Sequence, residues 1–245
     1  MPDDLTDELT QALRQRILVL DGAMGTTIRG YGLDEAAARG NRFGGNEKDL
    51  LNNGDILSLT QPGVIGDIHK RFLEAGSDII ETNTFSATAL AQSEFFVPDP
   101  RETGGRKDPE FFQSKVMENA FLRDLAWELN VESSRLARHW ADRIGEETGR
   151  KRYVAGAIGP LTVSLTNSPD ADDPGFRVVT FDQVTETYRQ QIRAMIEGGC
   201  DILMVETIFD SLNAKAALVA IREVYDQDGV RLPIIVSAAV GRGGE

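Results

Sequence analysis

The chain has 245 residues, of which 41% are hydrophobic and 27% charged, a balance that excludes disorder and suits one large or two small globular domains. A net charge of −13 argues against a nucleic-acid partner, which requires a basic footprint. One cysteine, Cys200, precludes an intrachain disulfide and a multi-thiolate zinc site, and no apolar run approaches the roughly 18 residues that cross a bilayer. With an acidic N-terminus, Met1-Pro-Asp-Asp, in place of a signal peptide, the expected compartment is the cytoplasm and no membrane contact is expected.

The first element is Ile17-Leu-Val-Leu20, an apolar run that stops on Asp21-Gly-Ala-Met-Gly25. Such a run suits a strand covered on both faces, and the glycines let backbone approach a ligand closely. An acid delivered there suggests a positively charged ligand. Residues 28–60 form a long connection. A helical period at Val64, Ile65, Ile68, Phe72 and Leu73 then predicts a helix from Pro62, with Thr60 as N-cap and Gly76 as stop. Asp78-Ile-Ile-Glu-Thr82 is the second predicted strand. Phe96 to Lys107 reads as an insertion rich in loop residues, and Pro109 to Ile144 as one long or broken helix.

Tyr153–Ala157 is the third strand, ending in the small residues and turn of Ile158-Gly159-Pro160. Phe181, Val184, Tyr188, Ile192, Met195 and Ile196 mark a helix that stops at Gly198-Gly199. Asp201–Glu206 is the fourth strand. Asp210 can cap a further helix to about Tyr225 with Leu212, Ala216, Val219 and Val224 inward, and Pro233–Ser237 is the fifth strand.

Strands alternating with helices imply parallel strands and right-handed crossovers, in an open doubly wound sheet or a (β/α)8 barrel. Asp21, Glu81, Asn83, Gly159 and Glu206 fall at or just past strand carboxyl ends, where both architectures place their sites. The absence of a Gly-x-Gly-x-x-Gly fingerprint after the first strand favours the barrel. A closed barrel takes eight strands, and this chain supplies about the first five βα units, so residues 1–245 read as a partial barrel domain that continues past Glu245.

Asp21 and Glu206 could together hold an ammonium, or act as a general acid and base; either could instead cap a following helix. Alternation points Glu81 and Asn83 to one side and Thr82 and Thr84 to the other, although Asn83 could serve only a turn. Cys200, before the fourth strand, reads as an inert buried residue, and His69 and His139 as packing or surface positions.

The motifs Asp21-Gly-Ala-Met-Gly-Thr-Thr27, Gly54-Asp-Ile-Leu-Ser-Leu-Thr-Gln-Pro62, Glu74–Phe85, Gly156-Ala-Ile-Gly-Pro160, Asp173-Pro-Gly-Phe-Arg177 and Glu206–Ala217 occur in this order. With them the chain resembles the homocysteine-binding domain that begins the cobalamin-dependent methionine synthases. The resemblance implies a barrel methyltransferase in which zinc-bound homocysteine thiolate takes a methyl group from methylcobalamin to give methionine. It also implies that Asp21 and Glu206 hold the substrate amino group, that amides at Gly22, Ala23 and Met24 suit its carboxylate, and that Glu81, Asn83 and Thr84 line the mouth. Partner folate- and cobalamin-binding domains would follow in the parent polypeptide.

The family's three zinc cysteines have no counterpart here, so neither zinc nor cobalamin is expected on this chain alone, which is expected to be inactive. Two alternatives stand beside this reading. One is a betaine- or S-methylmethionine-dependent homocysteine methyltransferase, which shares the opening Asp-Gly. The other is a non-catalytic fragment or half of a split domain. The Phe96–Lys107 insertion departs from the family's shorter connection and is expected outside the mouth.

Overall fold

The computed structural model describes residues 4–241. Its sheet is parallel, with β1 (Ile79–Glu81), β2 (Tyr153–Ile158), β3 (Ile202–Ile208) and β4 (Ile234–Ala238) in the spatial order in which they occur along the chain. That order decides between the two predicted architectures. A doubly wound sheet reverses its strand order at a switch point, whereas successive crossovers of one hand build the wall of a barrel. The chain is a partial (β/α)-barrel.

Two apolar clusters mark the two faces of the sheet. Ile79, Tyr153, Ala155, Ile202 and Met204 fill the inner face, joined by Leu9 from α1 (Thr6–Gln15), a helix the sequence patterns did not single out. Ile80, Val154, Ile158, Leu203 and Val205 face the helices. The alternation of these sets along each strand is the pleat itself.

The predicted first strand is corrected. Residues 17–20 make a single parallel bridge, Leu20 to Ile79, in place of a ladder. Here the Asp78 carboxylate accepts the Val19 N–H at 2.9 Å, so a side chain interrupts the backbone pairing. Nor is the segment covered on both faces: Leu18 and Leu20 pack inward, while Ile17 and Val19 are exposed.

The connection over 28–60 contains structure that its polar composition hid. It holds the last three residues of α2 (Met24–Gly30), together with α3 (Glu35–Arg39) and α4 (Leu57–Thr60). α5 (Pro62–Ala75) buries Ile65, Ile68 and Leu73 and ends on Gly76 at φ 113°, as predicted. Thr60 is not its cap: it closes α4, with its hydroxyl donating to Ile56 O.

After α6 (Ala89–Phe96) the predicted insertion carries a short 3-10 turn, Pro100–Thr103. The predicted 109–144 helix is broken. α7 (Pro109–Phe111) runs into a π-helical turn, Phe112–Met117, before α8 (Ala120–Thr148) restarts on an Asn119 cap. α9 (Phe181–Gly198) opens with a capping box in which Thr180 accepts from Gln183 N and the Gln183 side chain accepts from Thr180 N. α10 (Ser211–Asp228) is capped by Asp210 and buries Ala216 and Val224, whereas Leu212 and Val219, expected inward, are partly exposed. Among the described residues no helix is long and apolar enough to cross a membrane.

Candidate active site

At the carboxyl ends of the strands lies a cavity of about 620 Å³, the size of a small-molecule site. Ala23, Met24, Glu81, Asn83, Thr84 and Glu206 line it, as do Gly54, Asp55 and Phe85. Asp21 and Gly22 do not line it. Asp21 is tied to the wall instead, because its Oδ1 accepts the Glu81 N–H at 2.9 Å.

Asp55, Glu81 and Glu206 line the cavity and Asp21 is tied to its wall, four carboxylates that form no ion pair among the described residues. Burial pushes the Asp21 carboxyl up to about 7, and the Glu206 charge adds to the rise against the Glu81 N–H. Burial pushes Glu81 up to about 8, with Glu206 and Asp21 contributing. Glu206 is raised by burial as well, opposed by the Thr207 hydroxyl.

The fourth acid, Asp55, escaped the sequence reading. Burial and the Glu206 charge raise it to about 7, and the Ser86 N–H that it accepts at 3.2 Å opposes them. It lies in a stretch with no predicted strand, so nothing local marked it as a strand-end acid. The available signal was an acid followed directly by Ile56 and Leu57. Arg29 reaches the cavity wall, but it is solvent-exposed and, among the described residues, forms no ion pair with any of the four.

The polar residues after β1 are largely occupied by the protein itself. Asn83 Nδ2 donates to Gly54 O at 2.9 Å and to Ser58 Oγ at 3.1 Å, and so ties down the loop that carries Asp55. Thr84 Oγ1 donates to Ala157 O at 2.8 Å and lies 2.6 Å from Thr82 Oγ1, which puts both threonines on one side as the alternation predicted. Gly159 packs under this turn: a Cβ there would stand 2.2 Å from Phe85 O, so only glycine permits the approach.

Two of the sequence motifs meet beside the mouth. Asp210 caps α10 while accepting from Thr166 Oγ1 at 2.7 Å and from Ser164 Oγ at 2.5 Å. Arg177 donates to Leu165 O and Thr166 O, both at 2.7 Å, so residues 163–177 are braced from either side. Among the described residues of the insertion, none from 97 to 107 lines the cavity. Arg106 instead stacks 3.4 Å from the centre of the Phe176 ring.

No described group of three His, Cys, Asp or Glu is arranged to hold a metal. Cys200 is buried at the amino end of β3, with its thiol pushed up by that burial, far along the strand from the mouth. These residues do not fit the zinc that the resemblance implies. His69 is buried with neither ring nitrogen hydrogen-bonded, and desolvation lowers it to about 4, so it packs as a neutral ring. His139 is exposed, edge-on to Trp140.

A parallel barrel wall with a carboxylate-lined cavity at the strand carboxyl ends is the arrangement in which barrel enzymes place their sites. The chain belongs to the homocysteine S-methyltransferase family, whose profile matches residues 18–244. Its fold is similar to that of the homocysteine methyltransferase MmuM from Escherichia coli. The metallated form has a TM-score of 0.59 at 18% identity, covering 91% of this chain and 64% of that one. The oxidized form has a TM-score of 0.58 at 18% identity, covering 90% and 62%. The apo form has a TM-score of 0.56 at 17% identity, covering 93% and 62%. The chain thus spans less than two thirds of the length of these solved relatives.

Proposed function

We propose that this chain is the homocysteine-binding part of a cytoplasmic methyltransferase that moves a methyl group from methylcobalamin to the homocysteine thiolate, giving methionine. The observation that carries the reading is a cavity lined by Asp55, Glu81 and Glu206, with Asp21 tied to its wall, and no ion pair to any of these four carboxylates among the described residues. A buried carboxylate cluster is costly until a cation joins it, and an α-ammonium is a cation of the right size. Asp21 and Glu206 would hold that ammonium. The amides at Gly22, Ala23 and Met24 would face the substrate carboxylate, which leaves the thiol directed toward the open mouth.

Zinc would supply thiolate at neutral pH, but the described residues do not provide its ligands. What this chain contributes is binding and orientation, which accelerate a displacement by aligning the reacting atoms. The cobalamin branch is favoured over the betaine and S-methylmethionine branches by the sequence match through Asp173–Arg177 and Phe209–Ala217. Folate- and cobalamin-binding domains of the parent polypeptide would then be the partners.

Titration calorimetry of the chain with homocysteine and with its desamino analogue, 4-sulfanylbutanoate, tests the reading. Saturable binding of homocysteine with at least tenfold weaker binding of the analogue is expected, since charge-assisted hydrogen bonds contribute about 1.5–3 kcal/mol. Equal binding of the two, or none, would refute it. In the parent polypeptide, methylcobalamin should serve as donor where betaine and S-methylmethionine do not.

A further inference from the structure

The pleat of β3 predicts where each side chain points, and the strand breaks that prediction at one place. Ile202 and Met204 face the inner cluster, while Leu203 and Val205 face the helices. By alternation Glu206 belongs to the inner side, where it lines the cavity, and Ile208 should follow it there. Ile208 packs instead against the helix-facing cluster.

The register shows how. Val205 pairs with Val236 and Ile208 with Ala238, so β3 uses three steps where β4 uses two. One residue is extra, which is a β-bulge, a feature known to re-aim side chains beside active sites. Within it Thr207 has φ 53°, in the left-handed region that a β-branched residue rarely enters. Glycine would adopt that backbone without strain, yet the residue is threonine, and its Oγ1 donates to Glu206 Oε2 at 3.4 Å.

We propose that the Glu206-Thr207 bulge is a built-in aiming device, in which Thr207 is the positioning residue that holds the Glu206 carboxylate toward the substrate ammonium. The bulge lets the strand present Glu206 to the cavity and still return Ile208 to the helix-facing core two residues later. The Thr207 hydroxyl then restrains the carboxylate, at the cost of a strained backbone. This rests on the proposed homocysteine reading of the cavity.

The test compares the chain with its T207G and T207S variants by chemical denaturation and by titration with homocysteine and 4-sulfanylbutanoate. T207G relieves the backbone and removes the hydroxyl. It should therefore unfold at higher denaturant than the parent, bind homocysteine about three- to tenfold more weakly, and bind the desamino analogue unchanged. T207S keeps the hydroxyl and should retain the parental preference for homocysteine.

A T207G chain that is less stable than the parent, that binds homocysteine as the parent does, or that loses affinity for both ligands alike would overturn the proposal. So would a T207S chain that behaves as T207G. If the parent binds neither ligand, the homocysteine reading fails, and the denaturation result still decides whether the bulge stores strain.

Discussion

The two ends of the sheet place the same residue types in opposite electrostatic settings. At the amino end of β1, Asp78 is completely buried, yet it takes both guanidinium nitrogens of Arg16 at 2.8 Å, a contact from Arg150, and the Val19 N–H. Burial pushes its carboxyl up, but these partners outweigh it and hold the group at about 2. Three residues later, Glu81 at the carboxyl end forms no ion pair among the described residues and is raised to about 8. β3 repeats the contrast more weakly. Asp201 pairs with Arg138 at 2.5 Å, although burial still leaves its carboxyl raised, while Glu206 forms no ion pair among the described residues and accepts from the Thr207 hydroxyl. Acids at the bottom are compensated by the protein and serve stability. Acids at the mouth form no ion pair among the described residues and are raised by their burial.

The sharpest way to break this contrast is to remove an acid from each end. Asp78→Ala should destabilise the chain by about 3 kcal/mol, because it strands two arginines and the Val19 N–H beside a buried site. Denaturant unfolding measures this, and homocysteine affinity of the folded protein should not change. Asp21→Asn keeps an acceptor for the Glu81 N–H and removes a raised charge. It should leave the ligand-free chain as stable as the parent or up to about 2 kcal/mol more stable at pH 8, while weakening homocysteine binding about tenfold. An Asp21→Asn chain that binds as tightly as the parent would remove Asp21 from the site.

The pH dependence should separate the two ends in one experiment. Asp78 is depressed in the folded state, so its contribution is present above the ordinary aspartate value of about 3.9 and is lost as pH falls toward 2. Asp21, Asp55 and Glu81 are raised to about 7, 7 and 8. The folded state therefore binds more protons than the unfolded chain between roughly pH 4 and 8, and ligand-free stability should fall as pH rises through that window. Homocysteine affinity should rise over its upper part as the carboxylates ionise. Unfolding measured from pH 3 to 9 checks the slope, and the double variant Asp21→Asn/Glu81→Gln should flatten it. The smallest effect should come from Cys200→Ala, about 1 kcal/mol of lost packing with unchanged ligand binding, since that thiol lies at the compensated end.

The sequence by itself determined the parallel α/β plan, the helices with clean periods, and the acids at strand ends. Each depends on local spacing: the apolar period of α5, the period of α9 with its Gly198-Gly199 stop and the short apolar runs of β1 to β3 are written within a few residues. Tertiary structure alone decided the rest. Asp55 enters the site because Asn83, 28 positions away, ties down its loop through Gly54 O. Residues 17–20 fail to form a ladder because Asp78, distant in sequence, takes the Val19 N–H. The strand-order test that separates a barrel wall from a doubly wound sheet exists only once strands pair. The return of Ile208 to the helix-facing core depends on one extra residue in β3, visible only against the register of β4. Periodicity reports which way a side chain points along one element, whereas the compensation of a charge depends on what other elements bring to it.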